Sequence, residues 1–340
     1  MKQTDFARTL TRFLSDYLPS QRNVSTNTIK SYRDTFKQVL IYFNLELKIR
    51  PEHLTLGKIN AQNIKDFLLW IEKTRRVGIN TRNQRLAAIH SFYRYTQSEN
   101  PENILECQRI LGIPFKKGEK KTVEFLSQEC LKHILEQPDT SRKKGRRDLT
   151  LMAILYDTGA RVQELIDLKS RDIRLTQPAT ITLTGKGNKR RSVPIMDKTR
   201  GLLENYMKEN NLLENGKQDY PLFYNSNIRP FTRPGITYIL KKYLQKAKVA
   251  HIDVLFPNRL HPHMIRHTKA MHLLEAGVNL IYIRDLLGHV NVTTTEIYLR
   301  ANTEIKRKAL EAAYMEVLTQ DTPVWDEDTD LLKWLEQFCR

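Results

Sequence analysis

Apolar residues recur at helical spacing along most of this chain, and the first third shows the pattern four times. Phe6, Leu10, Phe13, Leu14 and Tyr17 predict a helix over 6–18. Ser25–Thr28 offers N-caps for a second, whose inward face is Ile29, Tyr32, Phe36, Leu40 and Phe43. A third over 61–73 turns Ile64, Phe67, Leu68 and Ile71 inward. After a turn at Gly78, a fourth follows Asn80 with Leu86, Ile89, Phe92 and Tyr93 on its buried face. The expectation is a helical domain over residues 1–112. Residues 113–122 then break the period with a proline, a glycine and four lysines, the composition of a linker.

Helical spacing returns after Val123. Ser127 caps a helix to Gln137, an apolar helix covers Arg147–Tyr156, and Asp157–Arg161 turns into a short helix through Leu168. One stretch departs from this period. Ala179–Leu183 alternates, Gly185–Asn188 turns, and Lys189–Ile195 runs back, which predicts a β-hairpin with Lys186 near its tip. Helices resume near Thr199, over Gly235–Lys246, and from Met264. The fold class is therefore mainly α with a small antiparallel β-sheet, and a second domain spans 123–318. The tail, 319–340, is acidic through Asp321, Asp326, Glu327, Asp328 and Asp330, then carries an apolar stripe of Leu331, Trp334, Leu335 and Phe338. Two readings of it stand: a segment that docks on a basic surface of its own or an adjacent protomer and restrains activity, or a helix completing its own domain.

Charge narrows the class of partner. Across 340 residues, 56 Lys and Arg stand against 38 Asp and Glu, a net charge of +18. Such a surface attracts a polyanion, and nucleic acid is the usual one. Lys30, Arg33 and Lys37 share a side of the second helix, Arg82, Arg85 and Arg94 lie on the fourth, and Lys116 and Lys117 lie in the linker. Helices of this kind fit the DNA major groove, with Arg and Lys contacting phosphates and guanines. A merely solvated basic face is the alternative for any single one of them. Arg142–Arg147 is another basic cluster, either a DNA contact or a soluble loop. Cys107, Cys130 and Cys339 make neither a disulfide framework nor a zinc pattern. No signal-peptide core or transmembrane run appears, so a soluble cytoplasmic protein is expected.

The candidate chemistry gathers in 261–298, which reads His-Pro-His-Met-Ile-Arg-His, then Leu-Leu-Gly-His-Val, then Glu-Ile-Tyr. Arginine forks grip phosphate oxygens, histidine moves protons near neutral pH, and a tyrosine hydroxyl can attack phosphorus. No histidine, cysteine and carboxylate cluster has metal-ligand spacing, and no phosphate-cradling Gly-x-x-x-x-Gly-Lys occurs, so no metal or other cofactor is expected.

Taken in order, Thr158–Leu165 resembles the first arginine motif of the tyrosine recombinase family, the phage-integrase-like and Xer-like enzymes. Thr184–Lys189 resembles its hairpin lysine, His263–His267 its His-x-x-Arg box, Leu287–His289 its next histidine motif, and Tyr298, nine residues after His289, its nucleophile. The resemblance covers the whole chain and implies an N-terminal four-helix, SAM-like core-binding domain followed by a catalytic domain. Arg161 and Arg266 would hold the non-bridging phosphate oxygens. His263 would accept the proton of Tyr298, Lys186 would protonate the departing 5′ oxygen, and His289 would donate a hydrogen bond to the phosphate. Glu164 and His267 would support the site without taking part in chemistry. The resemblance further implies a 3′-phosphotyrosyl intermediate and exchange through a Holliday junction. The partners would be double-stranded DNA with inverted repeats and a homotetramer on two sites, or a related recombinase. Two other readings are a type IB topoisomerase, which shares the chemistry without exchanging partners, and a DNA-binding factor that has lost catalysis.

Overall fold

Separate hydrophobic cores on either side of residue 121 organise the described chain. The computed structural model describes residues 3–118, 123–225 and 227–288, with the backbone alone at Lys186. It divides the chain into one unit over Met1–Lys121 and another over Thr122–Arg340. His289, Tyr298 and the tail 319–340 lie outside the described residues.

In the first unit, α1 (Asp5–Arg12) runs on through π-type turns over Phe13–Gln21. It is followed by α2 (Thr26–Leu45), α3 (Ala61–Thr74), α4 (Ile79–Glu99) and α5 (Ile104–Leu111). Ser25 and Asn60 cap α2 and α3 through their side chains, as short polar residues with free side-chain oxygens do. The core is aromatic. Phe6, Phe13, Phe36 and Phe92 meet with ring centroids 4.9–6.5 Å apart, in the tilted and edge-on arrangements that ring quadrupoles favour. Helix α5 adds a fifth helix to the four expected. It is only two turns long; it buries Cys107 and Ile110 in the core, and the buried His90 ring on α4 meets the Ile110 carbonyl at 3.1 Å. Ile113 is buried, and the Asn83 amide pairs with Lys116 through both its backbone N–H and its C=O. The first residues of the expected linker therefore pack on the first unit.

The second unit runs α6 (Gln128–Leu135), α7 (Lys143–Thr158), α8 (Val162–Ile166), a sheet, then α9 (Asp197–Glu209), α10 (Arg233–Ala250), α11 (Pro262–Glu275) and α12 (Leu280–Leu287). The strands β1 (Ile173–Arg174), β2 (Thr180–Thr184) and β3 (Arg190–Pro194) pair antiparallel in the order β1-β2-β3. The hairpin is the expected one, and β1, two residues long, is an addition too short for an alternating pattern to reveal. Helix α7 begins four residues before the expected start. The basic cluster thus forms its first turn rather than a loop, with Arg146 paired to Glu209 and Arg147 to Asp148. Asp148, fully buried, also accepts from the Tyr243 hydroxyl at 2.9 Å and so joins α7 to α10. Leu151, Ile154 and Leu155 of α7, Ile181 and Leu183 of β2, Leu240 of α10 and Met264 and Ile265 of α11 share one core.

Candidate active site

Helix α7 ends on Gly159, whose φ of 56° is left-handed. A Cβ there would lie 2.8 Å from Leu287 Cδ2, so both conformation and space call for glycine. The turn aims the Gly159 carbonyl at Arg266 and delivers Arg161 to the N-cap of α8. There the Glu164 carboxylate accepts the Arg161 backbone N–H (2.8 Å) and its Nη1 (2.8 Å). Glu164 is 4% exposed. Arg161 keeps 35% of its side chain open.

A second arginine completes this carboxylate. From β3, Arg191 places Nη1 3.0 Å from Glu164 Oε1 and Nη2 2.7 Å from Oε2, a bidentate fork. The hairpin closes on the same group: a Cβ on Gly185 would sit 3.1 Å from Glu164 Oε1. Lys186 follows directly, at a turn that Gly187 and Asn188 complete with positive φ. Burial alone would raise the pKa of Glu164. The hydrogen bonds from Arg191 and the Arg161 backbone, with the charge of Arg191 and a hydrogen bond from the Arg161 side chain, reverse that and bring it down to about 2.

Helix α11 supplies the His-x-x-Arg set. His261 is its N-cap, accepting the Met264 N–H at Nδ1 (3.1 Å), and Pro262 occupies the first turn, where a missing N–H costs nothing. Arg266, one turn in and 3% exposed, donates Nη1 to the Gly159 carbonyl (2.7 Å) and Nη2 to the Leu287 carbonyl (2.6 Å). Arg191 Nε holds the Leu286 carbonyl at 2.8 Å, and Arg161 Nη2 the Gly288 carbonyl at 3.2 Å. Three guanidiniums thus hold three consecutive carbonyls at the C-terminus of α12, the negative end of its dipole. That terminus leads straight into His289.

This concentration of positive charge acts on the imidazoles. His263 is exposed as a residue, yet the protein around it partly desolvates its ring. Desolvation first, then the charges of Arg266, His261, Arg161 and Arg233, push its pKa below the ordinary value. It is therefore neutral at neutral pH, the state a proton acceptor needs. His267, half-buried one turn on, is held at about 4 by burial and by its positive neighbours. Arg161, Glu164, His263 and Arg266 are brought together, the backbone of Lys186 lies beside them, and His289 and Tyr298 lie outside the described residues.

The model for the phage integrase family matches residues 124–304, and that for the phage integrase N-terminal SAM-like domain matches residues 10–100. A Sinorhizobium fredii protein named as an integrase/recombinase, y4rC, is 37% identical over 309 residues, covering 91% of this chain and 92% of its own. The tyrosine recombinase XerC of Staphylococcus epidermidis is 31% identical, over 86% of this chain and 92% of its own. The chain belongs to the tyrosine recombinase family. It is a site-specific DNA recombinase, an enzyme that cleaves and rejoins DNA. Among solved structures, the XerH recombinase bound to palindromic difH DNA superposes with a TM-score of 0.67 at 25% identity, over 88% of this chain and 82% of its own. The Tn1549 transposon integrase shares the fold, with a TM-score of 0.66 at 18% identity over 88% of this chain and 98% of its own.

In the recombinase's N-terminal unit the candidate DNA contacts fall into two groups. Lys30, Arg33, Lys37, Arg94, Lys116 and Lys117 are exposed, although Lys116 pairs with Glu72 at 2.7 Å. Arg82 and Arg85 are turned inward. Arg82, 7% exposed, donates to the Pro114 carbonyl (3.2 Å), and Arg85 donates to the Ser31 carbonyl and the Thr35 hydroxyl, both at 3.1 Å. Their guanidiniums tie α4 to the 114–116 segment and to α2. Arg191 is the site residue that sequence reasoning missed. Among the described residues, no helix is long and apolar enough to cross a membrane.

Proposed function

We propose that the recombinase, acting in the cytoplasm, cuts one strand at a time by attack of the Tyr298 phenol oxygen on a DNA phosphodiester. The phosphorus–O5′ bond breaks and a 3′-phosphotyrosyl link forms. His263 accepts the phenol proton and Lys186 protonates the departing 5′ oxygen. Arg161 meets the phosphate through the open part of its guanidinium. Arg266 donates to the second non-bridging oxygen, the role the family resemblance gives it. His289 adds a further donor. Attack by the 5′ hydroxyl of a partner strand reverses the step, and exchange proceeds through a Holliday junction. One phosphodiester is exchanged for another ester of similar energy, so the step needs no ATP.

The observation that carries this reading is Arg161 held on the Glu164 carboxylate and Arg266 on the end of α12, with a neutral His263 within reach of both their charges. We assign the DNA partner as a duplex site with inverted repeats, bound by four protomers on two sites or by this chain with a related recombinase. The palindromic DNA of the XerH complex supports that choice. Lys30, Arg33, Lys37, Arg94, Lys116 and Lys117 contact its backbone. On nicked suicide DNA, Tyr298→Phe loses the covalent protein–DNA adduct while still binding; an adduct in that variant would overturn the assignment of the nucleophile.

A further inference from the structure

The fold gathers a second set of chemically capable side chains well outside the α8, α11 and α12 residues of the active site. His133 and Glu136 lie one turn apart on α6, and the C-cap residue of α10, His251, stacks on His133 with ring centroids 3.8 Å apart and planes at 26°. One ligand atom from each of the three lies within 4.8 Å of the others. His133 Nδ1 is buried without a hydrogen-bond partner, and Glu136 Oε2 stands 3.4 Å away, close but not aligned to bond it. On the other side of the ring, Glu129 Oε1 lies 3.9 Å from His133 Nε2.

We propose that His133, Glu136 and His251 bind a single zinc-class divalent cation. Neutral imidazole is the form of histidine that ligates metal. An ion bonded at about 2.1 Å to each donor wants them roughly 3.4 Å apart in a tetrahedron. His133 Nδ1 and Glu136 already stand at that separation, and rotation of the His251 ring brings in the third. The set then has the two-imidazole, one-carboxylate composition that suits zinc, with a fourth position for water. Glu129, 3.9 Å from Nε2, stands on the side where a carboxylate commonly receives the other ring N–H of a ligating histidine, although at that distance it does not bond it. Bound there, the ion staples α6 to the segment that follows α10. No short sequence spacing signals this site, because His251 arrives from a different helix.

Calorimetric titration of the full-length, chelator-stripped protein with zinc chloride tests the proposal. One ion per chain, at micromolar affinity or tighter, is expected. The melting temperature should rise by a few degrees at a hundredfold excess over Kd, and cobalt(II) should give the visible absorption of a tetrahedral site. His133→Ala and His251→Ala each weaken binding at least ~100-fold and abolish the thermal shift, Glu136→Gln weakens it ~10-fold, and His263→Ala leaves it unchanged. The apo melting temperatures of the variants report their folding. Absence of stoichiometric binding overturns the proposal. So does binding that survives loss of His133 and His251, or binding that His263→Ala removes.

Discussion

Glu164 shows how much one buried carboxylate can organise, because it serves two arginines and a backbone N–H while 4% exposed. Its pKa, about 2 in the folded chain, is below the unfolded value near 4.3. A depressed carboxyl contributes stability that is fully present above the unfolded pKa and is lost as pH falls through the folded one. That contribution is on the order of 3 kcal/mol at pH 7. Urea unfolding of the native chain and of Glu164→Gln should therefore differ most at pH 7, with the gap closing between about pH 4.5 and 2; a gap independent of pH would refute the assignment. His263 gives the opposite kind of test. If it is the proton acceptor proposed above, its lowered pKa should place the acid limb of strand cleavage below the ordinary histidine value, with a plateau above it. Arg233→Gln removes one of the positive charges that depress it. At saturating DNA, that variant should move the acid limb to higher pH and leave the rate at pH 8 within about twofold.

At the scale of the element, the end of α12 is the junction of the site. Leu286, Leu287 and Gly288 present their carbonyls to Arg191, Arg266 and Arg161 in turn, so the strand, the α8 turn and α11 are all referenced to the residue before His289. Gly288 has a φ of 63°, and a Cβ on it would come within 3.0 Å of Arg191 Nη1, so the last carbonyls can turn toward the guanidiniums only with glycine there. Arg191→Ala leaves a buried carboxylate one fork short and frees the Leu286 carbonyl. We expect a stability loss of about 3 kcal/mol and, below the melting transition, cleavage slowed by roughly 10–100-fold with DNA affinity within about threefold. Arg191→Lys should recover less than half of the loss, since an ammonium cannot span both carboxylate oxygens. A full-rate Arg191→Ala enzyme would remove the positioning role. Arg161, Glu164, His263 and Arg266 were legible because each sits in a motif, and the hairpin because its alternation is regular. Arg191 was hidden as the last of Lys189-Arg190-Arg191, three like charges that composition cannot rank. One signal did exist: in a strand, residues two apart share a face, and Val193 is plainly an inward residue. Helix α5 and strand β1 are too short for periodicity to reveal, and the turn at 143–146 reads as a loop because a run of charge hides the start of a 16-residue helix.

For the molecule as a whole, the net charge of +18 says that polyanion binding should be strong and salt-dependent, but not which cations provide it. The structure separates them by what each is already doing. Arg82 and Arg85 are turned into the first unit, where the Pro114 and Ser31 carbonyls hold them. Lys30 and Lys37 are exposed on α2, and neither has an ion-pair partner among the described residues. Each lysine that neutralises a phosphate releases counterions worth about 0.9 in the slope of log affinity against log salt. Replacing Lys30 and Lys37 together with glutamine should therefore lower that slope by close to 2, weaken binding to all sequences alike, and leave the melting temperature nearly unchanged. Arg82→Gln should do the reverse: it should cost about 1–3 kcal/mol of stability, because the Pro114 carbonyl loses its donor, while the salt slope of the folded protein stays put. Salt titrations of DNA binding by fluorescence anisotropy, run beside thermal melts, measure both quantities on the same samples. If the slope falls for Arg82→Gln and holds for the lysine pair, the inward and outward cations have been sorted the wrong way round, and the DNA-facing side of the first unit is α4 rather than α2.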